Sequence, residues 1–511
     1  MSGSDAVALG PSAESKLNQI EEMSPDEFKK YGYQVIDWIA DYLAHPERYS
    51  VLSQATRGDT KGAVPATAPV HGEDMDRILA DVDKIVVPGM THWNHPAFFA
   101  YFAISGSAPG ILAEALSAAF NVNAMMWRTS PAATELEEVT LDWLRQLLGL
   151  STGFSGVIYD TASISSLCAI AAAREAVPGF PVREQGLGWT ETTDGHSGPI
   201  RLRLYASEEA HSSIDKAAIT LGLGQAGLRK IPTDNEFRMR PEALAAAIEE
   251  DRAAGWRPFC VVATVGTTST TSVDPVPEIA KICRRERLWL HVDGAYGGTC
   301  AIVPEMKWVL EGCEHADSLV VNPHKWLFTP VDLSALYCRR MDVLRRAFSL
   351  IPEYLRSAEV DLTPNFMDYG PQLGRRFRAL KLWFVMRYYG AEGLVARIRE
   401  HIRLAREFAS WIDLNPDFER MAPAPFSTVC FRVSHLKHGG DTTEQDDQAV
   451  NDLNERLLGQ VNREGKVFLS HTKLRNKFTL RLAIGNIRTR EEHIELAKHS
   501  LQAALNRIRG E

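Results

Sequence analysis

The sequence predicts an α/β fold: a mostly parallel central sheet with helices on both faces, an N-terminal helical segment and a small C-terminal α+β domain. Between about 111 and 340, short β-rich runs alternate with Ala- and Leu-rich helical stretches. Such alternation requires crossover connections between parallel strands, and ligands then bind beyond the strand ends. The chain has 511 residues, 45% of them apolar and 24% charged. It is an ordinary globular composition on a chain too long for one core, so two or three fused lobes are expected. The expected partition is a flexible tail over 1–23, a helical segment over 24–110, a large domain over 111–400 and a small domain over 401–511.

Taken in order, residues 1–23 are small and polar. Ser24 then reads as an N-cap, Pro25 as the first helical residue and Asp26 and Glu27 as first-turn acids. Phe28, Tyr31, Val35, Trp38, Ile39 and Tyr42 follow at helical spacing and predict an amphipathic helix. The Thr-, Ala-, Pro- and Gly-rich stretch 53–71 reads as an extended connector before a second helix at about 72–86. Strands are expected at Val157-Ile158-Tyr159, Leu202-Arg203-Leu204-Tyr205, Phe259-Cys260-Val261-Val262-Ala263-Thr264, Leu288-Trp289-Leu290-His291-Val292 and Ser318-Leu319-Val320-Val321. Helical pattern runs from 376 to about 412, and Val429-Cys430-Phe431-Arg432-Val433 and Phe478-Thr479-Leu480-Arg481-Leu482-Ala483 read as strands of the smaller lobe. The stretches 177–199 and 438–447 read as exposed loops. No repeat or heptad is evident.

Composition excludes several function classes. A net charge of −9 argues against a nucleic-acid binder. Seven cysteines without a CxxC pair suggest neither a disulfide framework nor a zinc site, and fit a reducing cytoplasm. The N-terminus lacks a basic stretch followed by an apolar one, and no apolar run approaches the roughly 20 residues that span a bilayer. Small molecules are the expected partners, with no metal.

Chemistry concentrates at the strand exits. Asp160-Thr161-Ala162-Ser163 lies between a strand and a strong helix, whose free N–H groups and dipole suit a phosphate, although a plain Thr or Ser cap reads the same in isolation. His211 follows a strand and could stack on an aromatic group or move protons. Gly266-Thr267-Thr268 follows another apolar strand. Asp293, in Asp293-Gly294-Ala295-Tyr296, emerges from a buried-strand pattern, and Lys325, in Asn322-Pro323-His324-Lys325, is flanked by Trp326, Leu327 and Phe328. An apolar setting lowers a lysine pKa and favours Schiff-base formation with an aldehyde, while a carboxylate facing a pyridine nitrogen keeps that nitrogen protonated. Together they point to pyridoxal 5'-phosphate (PLP).

The chain resembles the aromatic-L-amino-acid decarboxylase family, group II PLP decarboxylases of the PLP-dependent transferase fold type I, from about 23 to 490. The likeness rests on His95-Pro96-Ala97-Phe98-Phe99-Ala100-Tyr101-Phe102, Ser130-Pro131-Ala132-Ala133-Thr134-Glu135-Leu136-Glu137, His291-Val292-Asp293-Gly294-Ala295-Tyr296, Asn322-Pro323-His324-Lys325-Trp326 and Leu373-Gly374-Arg375-Arg376-Phe377-Arg378-Ala379-Leu380-Lys381-Leu382-Trp383. The resemblance implies Lys325 as the Schiff-base lysine, Asp293 as partner of the pyridine nitrogen, and Ala162, Ser163 and Asn322 as phosphate ligands. Thr268, Ala295 and His324 would complete the cofactor shell, with His211 over the ring. It further implies a cytoplasmic homodimer with active sites at the subunit interface and the N-terminal segment packed across the partner.

For substrate, the resemblance implies an aromatic L-amino acid, with Trp93, Tyr101 and Phe102 as aromatic walls and Gly374 leaving room for indole or phenol rings. Ala103-Ile104 departs from the Pro-Thr or Pro-Ser of many members. A second departure bears on the product. In the family a tyrosine on a mobile loop, here about 353–369, donates the proton to Cα. Counting back from Leu373 places Phe366 at that position, and a phenyl ring donates no proton. Tyr369 or His211 could substitute. Plant relatives with Phe at this position resemble aldehyde synthases, which release aldehyde, ammonia and peroxide. Three readings follow: amine-forming decarboxylase, aromatic aldehyde synthase, and non-catalytic PLP-fold scaffold.

Overall fold

Helix α1 (Pro25–Ala44) starts where Ser24 and Glu27 cap one another: Ser24 Oγ accepts the Glu27 N–H at 3.3 Å, and Glu27 Oε2 accepts the Ser24 N–H at 3.2 Å. The computed structural model describes residues 22–180, 182–188, 201–350, 364–434 and 444–510. Most of the expected tail, much of the two expected loops and most of the expected mobile loop lie outside these residues. The chain divides into two units, the first ending at Thr91 and the second running from His92. In the first, Lys30 pairs with Asp76 at 3.0 Å, tying α1 to a helix over Met75–Asp81, and Trp38 Nε1 donates at 2.7 Å to Asp83 just beyond it. That helix continues as a π turn over Val82–Val86. The expected connector contains a short helix, Asp59–Ala63, because Asp59 accepts the Thr56 N–H and hydroxyl at 2.7 and 2.8 Å and closes a turn.

The second unit carries a seven-stranded sheet. Its strands are β1 (Ser155–Tyr159), β2 (Leu202–Ser207), β3 (Leu228–Ile231), β4 (Arg257–Thr264), β5 (Trp289–Asp293), β6 (Ser318–Val321) and β7 (Ser334–Cys338), in the order β1-β7-β6-β5-β4-β2-β3. Strand β7 is antiparallel to both β1 and β6, and the other pairings are parallel. Six strands therefore end at one edge. Both faces are covered, so alternate residues enter different cores: Val261, Ala263, Leu290 and Val292 on one side, Cys260, Val262 and Trp289 on the other. The second face packs against α4 (Ala162–Glu175) and α5 (Ser212–Thr220), the first against α2 (Ala108–Phe120), α3 (Pro131–Leu148), α6 (Pro241–Ala253), α7 (Val276–Glu286) and α8 (Ala379–Leu414), which breaks at Gly390, φ 62°. Strands β3 and β7 were not among the expected ones. Strand β3 is four residues with two cations, and β7 is a short run buried throughout, which shows no period of two.

A four-stranded antiparallel sheet, β8 (Phe418–Arg420), β9 (Thr428–Val433), β10 (Ser470–Leu474) and β11 (Lys477–Ala483), is ordered β10-β11-β9-β8. The aromatic segment at 96–102 is bound to it. Phe99 donates its N–H to Phe468 O at 2.9 Å and its carbonyl accepts the Ala483 N–H at 2.9 Å. Arg375 joins further elements: its guanidinium reaches Glu137 at 2.6 Å, Ile158 O at 2.8 Å and Ala124 O at 3.1 Å, all buried. Arg375→Met leaves Glu137 as a buried unpaired charge and is expected to destabilise the chain by about 3–5 kcal/mol. A thermal midpoint within a degree of the parent would contradict this.

Three histidines are held neutral by burial: His291 is pushed down to about 4, and His324 and His401 to about 3. Each has hydrogen-bond partners that accept this state, such as the Ser318 and Ser166 hydroxyls on His291 at 2.9 and 3.1 Å. Because their folded pKa values lie below the unfolded one, the unfolded chain binds protons first as pH falls below about 6.5, and stability is lost. Asp274, pushed up to about 7 by burial, acts in the opposite sense. The net for these four groups is two protons, or about 2.7 kcal/mol per pH unit between roughly pH 6 and 4.5. The thermal midpoint is expected to drop steeply from pH 7 to pH 5, and an unchanged midpoint refutes the assignment.

Candidate active site

Asp293 closes β5, and the backbone around it binds the neighbouring exits together. Its Oδ1 accepts the Ala295 N–H at 3.1 Å, and Ala295 O accepts the Asn322 N–H at 3.2 Å. The turn after β4 approaches just as closely: Val265 donates to Asp293 O at 2.8 Å and Gly297 to Val265 O at 3.2 Å. Gly266 adopts φ 92°, and a Cβ there would lie 2.9 Å from Gly297 N. Glycine is required at this crossing, which sets Thr267 and Thr268 beside the Asp293–Tyr296 turn.

Lys325 sits in the short helix Pro323–Trp326, with Trp326, Leu327 and Phe328 fully buried behind it. Its amine makes no hydrogen bond or ion pair with any described residue and stands 5.4 Å from the Phe102 ring centroid. Burial pushes the Lys325 ammonium below its usual range, and Asp293 opposes that shift. His211 caps α5 with Nδ1, which accepts the Ser213 N–H at 3.2 Å. That bond leaves the ring proton on Nε2. Surrounding protein pulls the His211 pKa down, with Asp293 raising it and Lys325 lowering it. Asp293 therefore acts on both Lys325 and His211, and Lys325 on His211.

Ala162 and Ser163 open α4, whose first-turn N–H groups face the same sheet edge. His324 is buried, its Nδ1 accepting the Leu333 N–H at 2.9 Å. Phe102 stacks on Tyr296 at 3.9 Å, and Tyr296 on Trp326 at 4.9 Å. Trp93 stacks on Tyr101 at 5.8 Å. Arg481, 4% exposed, was missed as a site residue. It donates to Thr268 O at 3.0 Å, Ser269 O at 2.7 Å and Tyr101 O at 3.4 Å, and its guanidinium lies 5.2 Å from the Phe102 ring. A cation in the middle of an apolar strand was the available signal.

A match to the pyridoxal-dependent decarboxylase conserved domain covers residues 58–434. The chain belongs to the pyridoxal-dependent decarboxylase family. The chain is 39% identical to phenylacetaldehyde synthase of Arabidopsis thaliana, over 94% of its own length and 96% of the relative's. It is also 39% identical to aromatic-L-amino-acid decarboxylase of Mus musculus, over 96% of this chain and all of that one. A crystal structure of Oryza sativa TDC with PLP and tryptamine superposes with TM-score 0.89 at 35% identity, covering 96% of this chain and all of that one.

The cofactor of this PLP-dependent carboxy-lyase is PLP, and the residues present fit it. Among the described residues, Asn322 Oδ1 is buried without a hydrogen-bond partner, so its amide is open to a further polar group, and the Lys325 amine is equally unengaged.

Phe366 and Tyr369 are not brought to this constellation within the chain. They form a short turn over Phe366–Tyr369, packed on the second face of the sheet. Arg375 lies 4.8 Å over the Phe366 ring, Tyr369 O accepts the Tyr159 hydroxyl, and Met367 donates to Met125 O at 2.9 Å. The charges acting on the Tyr369 phenol are Arg345, Asp368 and Glu138, and burial raises its pKa. Gly374 is exposed, with Asn123 Nδ2 at 3.9 Å as the only atom a Cβ would meet.

Proposed function

We propose that this enzyme decarboxylates an aromatic L-amino acid to its arylalkylamine, a reading carried by the Lys325 amine, unpaired among the described residues, which feels the Asp293 carboxylate and stands at the Phe102 ring. Bound PLP supplies the aldehyde and a protonated ring that accepts the electron pair freed when CO2 leaves. Lys325 supplies the amine that holds this aldehyde, and its lowered pKa raises the neutral, nucleophilic fraction. Asp293, 6% exposed, keeps a proton at the ring nitrogen. The α4 N-terminus at Ala162 and Ser163 and the Asn322 amide hold the phosphate. Thr268, Ala295 and His324 shape the remaining wall, and His211 covers the ring with its proton on Nε2. Trp93, Tyr101 and Phe102 favour an aromatic side chain by stacking, and Gly374 leaves room beside it.

The homodimer belongs to this reading. On α2, Leu112, Leu116 and Phe120 are 50, 43 and 57% exposed at spacing i, i+4, i+8, an apolar stripe suited to a second copy. A cytoplasmic location is supported by seven cysteines that are all buried free thiols. Among the described residues no helix is long and apolar enough to cross a membrane.

A specific observation favours a second reading, aromatic aldehyde synthase: Phe366 stands where the family's loop tyrosine is expected, and it cannot protonate Cα. Incubation with Trp, Tyr, Phe and dopa under air, with amine, aldehyde, ammonia and peroxide measured together, separates the two. Amine without peroxide supports the decarboxylase; peroxide matching aldehyde overturns it. In the latter case, with position 366 serving the partner's site across the homodimer, Phe366→Tyr is expected to raise amine yield by about 10²-fold, the lower range for a positioned general acid. A non-catalytic scaffold has no use for a free lysine amine beside a buried carboxylate, and any turnover removes it.

A further inference from the structure

The sheet edge opposite Asp293 and Asn322 carries another cleft, of about 740 Å³. We propose that it binds a small oxyanion bearing at least two acidic groups, of the diphosphate or dicarboxylate kind. Its walls are the C-terminal ends of α4, α6 and α7, the first residues of β4 and β5, and the residues Asp317 and Arg340 that adjoin β6 and β7.

Five arginines line it, Arg252, Arg257, Arg284, Arg287 and Arg340, against two carboxylates, Glu286 and Asp317. The carboxylates are already engaged. Glu286 binds Arg252 and, at 2.6 Å, Arg285, while Asp317 accepts the Leu290 N–H at 2.9 Å. Arg257 is satisfied by Pro178 O at 2.7 Å. The guanidiniums of Arg284, Arg287 and Arg340 make no hydrogen bond or ion pair with any described residue. At the rim, Trp256 carries the Arg201 and Arg203 guanidiniums on its ring at 3.9 and 3.5 Å, Arg203 being paired with Asp251 at 3.0 Å.

Local structure accounts for one of these three cations. Basic residues complement a helix C-terminus, which suits Arg284 in the last turn of α7. Arg340, however, is the N-cap of the helix Met341–Phe348, where the dipole disfavours a cation, and it lies 5.3 Å from the Trp289 ring. Arg287 adopts φ 57° at the C-cap of α7, a conformation glycine takes at less cost. Both positions keep arginine against the backbone's preference, on a chain whose net charge is −9. Arg284, Arg287 and Arg340 are exposed at this open cleft, where the Asp317 carboxylate acts on Arg340, and guanidiniums that share a cleft without hydrogen-bond partners recognise multiply charged oxyanions through paired, charge-assisted hydrogen bonds. Along β5 the lining residues Trp289 and Leu290 stand about 13 and 10 Å from Asp293, at the opposite end of the strand, so the cleft is distinct from the cofactor's phosphate site.

The test is calorimetric titration of the PLP-loaded enzyme at constant ionic strength, with pyrophosphate in one arm and succinate in the other. Saturable binding of at least one of them, one per chain, is expected. It should weaken at least about tenfold in R284E/R287E and in R340E, the loss expected when charge-assisted hydrogen bonds are removed. R284K/R287K should retain most of it. An unchanged PLP absorbance verifies the fold of each variant, and if R284E/R287E loses PLP, R340E decides alone. Absence of saturable binding in both arms, or binding unaltered by charge reversal, overturns the proposal.

Discussion

Lys325→Ala is expected to reduce turnover below detection while leaving the fold intact. The two effects separate because the Lys325 amine has no hydrogen bond or ion pair to lose among the described residues. Its removal therefore strands no partner, and the cost is the packing of a methylene stem, about 1–2 kcal/mol. Trp326, Leu327 and Phe328, which hold the segment in the core, are unchanged. Chemistry has no such reserve: Asp293 acts on the Lys325 amine, and although Lys216 also acts on His211, it is Lys325 that stands at the Phe102 ring. Borohydride reduction of the parent should place the pyridoxyl label on the peptide containing Lys325, and the variant should carry none. A label at another lysine, or turnover within tenfold of the parent, would refute the assignment.

Asp293→Asn should lower kcat by about 10²–10³, the range for removing one preorganised electrostatic partner. Asparagine preserves the geometry, because an amide oxygen accepts the Ala295 N–H as the carboxylate does. What it removes is the charge. Without it, burial acts unopposed on Lys325, whose pKa falls further, and the His211 pKa falls with it. The pyridine nitrogen also loses the anion that keeps it protonated. Absorbance of the bound cofactor against pH reads this directly: the variant's transition should move to lower pH, with PLP content retained. Asp293→Glu should recover part of kcat. If the asparagine variant keeps kcat within twofold, Asp293 does not hold the proton.

How much of this was legible depends on which interactions are local. The Asp293 and Lys325 positions were legible because each follows an apolar strand, and a strand buried on both faces must deliver its next polar residue to an edge. Ser24 was legible as a cap because capping is a contact between residues three apart. Strand β7 was not, since its place between β1 and β6 is set by pairings across the whole domain. Arg481 was not, since its carbonyl partners lie more than two hundred residues away. The packing of Phe366 under Arg375 is of the same kind: the count to Leu373 gave its alignment, but only the fold shows which face of the sheet the ring covers.

The sequence by itself determined the chemical repertoire of this protein: an amine, a carboxylate and a helix N-terminus at strand ends, and a phenyl ring at the expected tyrosine position. These follow from short-range periodicity and residue chemistry. Tertiary structure alone decided that Asp293 and Lys325 both act on His211, that Arg481 clamps the aromatic wall, and that three arginines whose guanidiniums have no hydrogen-bond partner among the described residues share one cleft at the far edge. Such facts depend on through-space fields and packing between distant segments, which no local pattern encodes.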